Sequence, residues 1–341
     1  MPDFTPQVKR VGKSHQGQLR VALALTKQKR FDEALSSYEA ILQSNPASKV
    51  AHLAAGKILF RQERYDEALS HFQVVMRLDP LMPRAPMAAG RVYLKQGNLK
   101  KAQEAFQDTL NIDPKFTQAY VGFGQVLVRQ EKYGEAIQQF RKALSLDPQL
   151  IQVRLLLAQI YQRQGSFTQA LAELKSVLNI DPTKWRIHQA LGRIYLKQKQ
   201  YSAAREAFQE ALKLNPELPP SARLGVAEAL IEENHLDEAT EILRQVPQIK
   251  PLEPKKHKLW GDIYQRQGLM KEAAQEYRAA TLLAAEEGDK LDELADLDAL
   301  LEEDEDKLQE VVESYGAVAD KRVSEAQARQ QETFQERRLR R

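Results

Sequence analysis

Residues 117–150, TQAYVGFGQVLVRQEKYGEAIQQFRKALSLDPQL, decide the fold of this chain. Apolar and small side chains fall at Tyr120, Phe123, Gly124 and Leu127, then at Ala136, Ile137, Phe140, Ala143 and Leu144. That three-and-four spacing is the face of a helix, met twice and interrupted near residues 131–134. The stretch predicts two helices joined by a short turn. Asp147-Pro148 closes the second, because the residue before a proline is driven out of helical dihedrals.

Outward from that stretch the plan repeats. Pro46, Pro80, Pro114, Pro148, Pro182 and Pro216 stand 34 residues apart, and Pro251 comes one residue late, as though an insertion sat near Pro219-Pro220. Self-similarity at this period means stacked helix pairs, none of which can bury its apolar face alone. Eight copies begin at His15, Lys49, Pro83, Thr117, Ile151, Trp185, Pro220 and Pro254.

These residues resemble the tetratricopeptide repeat (TPR) family, in a bacterial type. Its pattern sets an aromatic, a Leu-Gly pair and Tyr on one helix, then Ala, Phe and Pro on the next. Here it reads Tyr120, Phe123-Gly124, Leu127, Ala136, Phe140 and Pro148, and again His188, Leu191-Gly192, Tyr195, Ala204, Phe208 and Pro216. The last copy has Trp260-Gly261, Tyr264, Ala273 and Tyr277, with Ala285 where proline would stand. The resemblance implies an all-α fold, a right-handed α-solenoid of helix-turn-helix repeats with a capping helix at its C-terminal end.

Small residues recur where the two helices of a repeat should cross. Gly56, Gly90, Gly124, Gly192 and Gly261 share the middle of the first helix with Ala22, Ala158 and Ala227. A helical glycine costs roughly 1 kcal/mol relative to alanine, so its recurrence predicts a close crossing of two backbones, with Phe72, Phe106 and Phe140 filling the space beside it.

The expected organisation is a basic arm at 1–14, an array of eight repeats at 15–287, and at 288–341 an acidic capping helix with a basic tail. Residues 286–341 carry 9 Lys and Arg against 18 Asp and Glu, so the +3 of the whole chain hides an array of net +12. The seventh copy is irregular: it opens on Pro219-Pro220 and carries Glu228, Glu232 and Glu233. Asp289 is expected to cap a helix with Leu291, Leu294, Leu297, Leu301 and Leu308 along one stripe, acidic outside at Glu302 to Asp306. That stripe could compete for a basic groove, within one molecule or between two, so self-association is a further expectation.

There is no cysteine, and no apolar run of signal-peptide or membrane-spanning length. A cytoplasmic protein is expected, peripheral to a membrane only through a partner, with no direct insertion. No catalytic constellation or phosphate loop stands out, so neither an enzyme nor a cofactor is expected. His52, His188 and His257 share one repeat position and read as packing or rim residues.

In the family the resemblance names, the second, fifth, ninth and twelfth residues of each first helix line a concave groove. Here these positions include Lys57, Arg84, Arg91, Gln125, Gln159, Arg186, Gln189 and Arg193 beside apolar Leu53, Phe60, Leu94 and Val128. Arg61, Lys95, Arg129, Arg163 and Lys197 form a periodic basic row next to them, which also reads as helix-end chemistry. The groove should hold an acidic or amphipathic segment of a protein partner, such as a subunit of a larger complex, making the chain a non-catalytic scaffold or assembly factor. The chaperone-binding branch is not expected, because no repeat has Asn at the ninth position. The alternative is an RNA-binding regulatory protein using the same cations, disfavoured for want of a ladder of exposed aromatics.

Overall fold

The computed structural model describes residues 15–216, 220–248 and 252–285. The expected arm at 1–14 and the expected acidic helix and tail lie outside them. Sixteen helices and no strand occur among the described residues. They divide into two compact units, up to Ile160 and from Tyr161.

The first unit holds α1 (His15–Lys27), α2 (Phe31–Ser44), α3 (Lys49–Arg61), α4 (Tyr65–Leu78), α5 (Arg84–Lys95), α6 (Leu99–Ile112), α7 (Thr117–Arg129) and α8 (Tyr133–Leu146). The division falls within α9 (Ile151–Arg163). The second unit holds α10 (Phe167–Ile180), α11 (Trp185–Lys197), α12 (Tyr201–Leu214), α13 (Ser221–Glu232), α14 (Leu236–Arg244), α15 (Glu253–Arg266) and α16 (Met270–Ala285). Within each unit, helices packed on their neighbours in sequence are joined by contacts between successive first helices, α3 with α5 and α5 with α7, and α11 with α13 and α13 with α15.

Each hairpin turns on one left-handed residue. Gly97, Gly165 and Gly268 hold φ between 70° and 77°, and Lys29, Glu63, Glu131, Lys199 and Asn234 hold φ between 57° and 62° at the same repeat position. Around Glu63 the amides at 63 and 64 bond back to the carbonyls of Phe60 and Leu59, so the positive φ turns the last carbonyls of α3 onto the entering chain. The Asp-Pro step between repeats has its own cause. Asp113, Asp147 and Asp181 leave their helices in extended dihedrals, as a residue before proline must, and each carboxylate accepts from the amide two residues on, at 2.9 to 3.0 Å.

The recurring small residue serves a ring. A Cβ placed on Gly56 would lie 2.6 Å from a ring carbon of Phe72, and one on Gly90 would lie 2.7 Å from Phe106. Gly124 meets Phe140, Gly192 meets Phe208 and Gly261 meets Tyr277 in the same way. The expectation of two backbones in contact is corrected here: the near neighbour is an aromatic edge. Phe106 is also touched by Gly122 of the next first helix, and Phe208 by Gly225, so one ring closes its own hairpin and joins the following repeat. In two copies leucine replaces the ring, Leu174 and Leu243, and the notch residue becomes Ala158 and Ala227, all four buried. The first copy also has alanine, Ala22, at the notch, and there the residue opposite is still a ring, Tyr38.

The seventh repeat departs as expected, and its second helix, α14, has 9 residues where the others have 14 or 16. Its three glutamates are joined to neighbouring repeats: Glu233 to Arg205 at 3.0 Å, Glu228 to Lys255 at 2.6 Å and Glu232 to Arg266 at 2.9 Å.

Two substitutions test these causes. Gly56→Ala should destabilise by about 1–3 kcal/mol through overpacking against Phe72, and in a double-mutant cycle Phe72→Leu should recover part of that loss. Glu63→Gly should raise the unfolding free energy by up to about 1 kcal/mol, because glycine enters φ > 0 without a Cβ penalty. Urea unfolding followed by circular dichroism reads both.

Candidate functional site

Helices α3, α5 and α7 and the first residues of α9 present one face from which two clefts open in the first unit, each of about 410 Å³. One lies among α1, α2 and α3, with Met82 and Arg84 at its edge. Leu53, Ala54, Ile58 and Tyr38 make its floor and walls. The other is more polar and is lined by Phe60, Arg91, Leu94, Lys95, Gln125, Val128, Arg129 and Leu156. The expected groove residues of repeats two to four thus come to a shared surface.

Three of the expected cations interact directly. The Lys57 ammonium is drawn below its ordinary pKa, first by loss of solvent around its head and then by repulsion from Arg84 and Arg91. No carboxylate pairs with Lys57, Arg84 or Arg91 among the described residues. Arg91 instead lies over the Phe60 ring, 5.2 Å from its centroid, and Arg61 over the Phe31 ring at 5.4 Å. Each guanidinium thus has an aromatic ring as its near neighbour, from α3 for Arg91 and from α2 for Arg61.

The periodic basic row behaves otherwise. Arg129 donates to the Leu94 carbonyl at 2.5 Å, and Arg266, 35 residues beyond Ile231, donates to that residue's carbonyl. Both acceptors lie in the last turn of the preceding repeat's first helix, where carbonyls have no partner within the helix. At these two places the row joins repeat to repeat. Lys95, Arg163 and Lys197 are exposed, as is Gln159, while Gln125 is half-buried in the cleft wall.

In the second unit Arg186 lies over the Trp185 ring, 4.9 Å from its centroid. Arg193 is solvent-accessible, yet desolvation draws its guanidinium below the usual value. Gln189 does not face a groove: it is 9% exposed, and its amide donates to the Ser221 hydroxyl of the next repeat at 3.1 Å. At the ninth position of the last two repeats, Glu228 pairs with Lys255, and Asp262 is held by Lys258 at 2.9 Å and by the Tyr277 hydroxyl at 2.8 Å.

The shared histidine position serves local packing. His52 contacts His71 through their Nδ1 atoms at 2.8 Å and the Pro46 carbonyl at 3.0 Å, His188 reaches the Pro182 carbonyl, and His257 bonds Glu276 at 2.6 Å. No group of three metal-ligating side chains occurs among the described residues. None of the described helices is long and apolar enough to cross a membrane.

Sequence reasoning missed Phe31 as the platform for Arg61. Its signal was present: Phe31, Tyr65, Tyr133, Phe167 and Tyr201 recur at the first residue of the second helix.

Among solved structures, the chain is similar to YrrB, described as a TPR protein with an unusual peptide-binding site: 19% identity over 58% of this chain and 97% of that one, TM-score 0.45. It is also similar to a tetratricopeptide repeat protein from Parabacteroides merdae (15% identity, 88% and 99% covered, TM-score 0.46) and to Pseudomonas aeruginosa pilF (22%, 64% and 96%, TM-score 0.47). Comparison with curated proteins gives no match. The tetratricopeptide repeat itself matches residues 59–122, 127–194, 161–217 and 195–259, with a second form of it at 19–83. Matched over more than half its length, with the repeat's small residue and ring seated against each other, the chain belongs to the tetratricopeptide repeat family.

Proposed function

We propose that the chain is a non-catalytic interaction scaffold, a cytoplasmic assembly factor that holds an acidic or amphipathic segment of a protein partner. In the first unit the segment lies against Lys57, Arg84 and Arg91; in the second, Arg186 and Arg193 offer the same charge. One observation carries this reading. Elsewhere charges are matched, as in Arg64 with Glu67, Lys49 with Asp79 and Lys255 with Glu228, but the cations around Lys57 repel one another without a counter-ion among the described residues. Carboxylates brought by a ligand relieve that repulsion, and the apolar residues between the cations take the ligand's uncharged side chains.

The nucleic-acid alternative is the weaker one. Phe31 and Phe60, which line the clefts, each have a guanidinium over the ring, and the surface offers no ladder of exposed aromatics among the described residues.

Arg91→Glu combined with Arg193→Glu should weaken binding of a glutamate-rich peptide by roughly tenfold or more at low salt, with helix content unchanged by circular dichroism. Unchanged affinity would remove the assignment. A second test needs no ligand. Because the folded pKa of Lys57 lies below its unfolded value, the unfolded chain takes up that proton more readily. The site therefore lowers stability below the folded pKa, and stability recovers as pH rises toward the unfolded value. Lys57→Gln should accordingly stabilise the chain at neutral pH by on the order of 0.5 kcal/mol in low salt, a gain that shrinks as salt screens Arg84 and Arg91.

A further inference from the structure

We infer that the cleft among α1, α2 and α3 is an anchor site for one large apolar side chain of the bound segment. The preferred ligand is then an acidic peptide with a leucine- or phenylalanine-sized residue set among its carboxylates. This rests on the charge reading of the groove and adds a specificity to it.

The two clefts of the first unit differ in chemistry, although they are equal in size. The one beside Arg91 is edged by Lys95, Gln125 and Arg129. The one beside Lys57 is walled almost wholly by carbon, from Leu23, Val50, Leu53, Ala54 and Met82. Its volume of about 410 Å³ falls in the range of roughly 300–1,000 Å³ found for sites that enclose small ligands.

Two of its wall residues have no packing reason to be apolar. Leu23 is 50% exposed and Val50 is 61% exposed, on neighbouring first helices and both turned to the same space. Scattered exposed aliphatics are ordinary, but two that line one concave apolar site rimmed by charge mark a contact surface.

The rim decides the occupant. Lys57, Arg61 and Arg84 stand at the edge of this cleft. Lys57 and Arg84 belong to the mutually repelling cluster, which has no carboxylate partner among the described residues, and Arg61 lies over the Phe31 ring. An uncharged hydrophobic ligand would fill the cleft and leave those cations unmatched. A basic one would be repelled. A segment with an apolar residue between glutamates or aspartates satisfies floor and rim together.

The test is fluorescence anisotropy of two labelled, amidated peptides titrated with the full chain. Each is glutamate-rich; one has a central leucine, the other a serine in its place. Burying the leucine should make that peptide bind about tenfold to a hundredfold tighter than the serine peptide. Leu23→Ser with Val50→Ser, both at exposed positions, should bring the leucine peptide down to the affinity of the serine peptide and leave the serine peptide unchanged. Each single substitution should give part of the effect, and thermal unfolding checks that the fold is intact.

Equal affinities in the unsubstituted chain, or a leucine preference that survives the double substitution, overturns the anchor. The charge reading would then still stand provided that Arg91→Glu weakens both peptides. Binding of both peptides that ignores Arg91→Glu overturns the groove itself. Self-association of the chain by light scattering, abolished by the double serine substitution while the leucine peptide fails to compete, would assign the cleft to a second copy and overturn a peptide occupant.

Discussion

The packing depends on an aromatic ring seated against a residue with no side chain. Phe106 lies on Gly90 of its own hairpin and on Gly122 of the next first helix, and Phe208 stands in the same relation to Gly192 and Gly225. One side chain therefore closes a repeat and attaches the following one. Its burial cannot be completed by either repeat alone, which is the physical content of nearest-neighbour stability in such arrays. The ring also determines which positions are available for binding. The eighth residue of the first helix is committed to the notch, while the ninth lies beside it on the exposed side.

The features legible in the sequence were those with local causes. The Asp-Pro step could be read because steric exclusion before proline acts within two residues, and the helix starts at His15, Lys49, Thr117, Ile151 and Trp185 agree with the copies counted from it. The notch was legible as a position but not as a contact. A recurring glycine announces close approach without naming what approaches, and the answer lay 16 residues away in a ring already visible in the pattern. Gln189 failed for a different reason. Periodicity placed it toward solvent, but Ser221 belongs to the irregular copy, whose approach no spacing rule describes.

The site was half legible. Charge at the second and ninth positions could be counted, but counting cannot separate a cation that repels its neighbours from one that holds the structure together. The structure separates them. Arg129 and Arg266 satisfy carbonyls at the ends of the preceding repeats' first helices, whereas among the described residues Lys57 is repelled by Arg84 and Arg91. The first arrangement lowers the free energy of the folded chain without a ligand. The second raises it, which is the cost the proposed acidic ligand would offset.

That contrast is plainest at the ninth position of the first helix, on which the proposed recognition rests. In order it carries Leu23, Lys57, Arg91, Gln125, Gln159, Arg193, Glu228 and Asp262. The apolar and cationic members of the first unit line clefts, while the two anions near the other end are already held by Lys255, Lys258 and Tyr277. Of these, Glu228 joins its repeat to the next, while Asp262 is held within its own repeat. In the last repeat the ninth residue, Asp262, is bonded to the ring residue Tyr277, whereas Lys57 and Arg91 are exposed beside their notches. In the first unit the ninth-position cations without a carboxylate partner among the described residues are Lys57 and Arg91, and the proposed recognition rests on them.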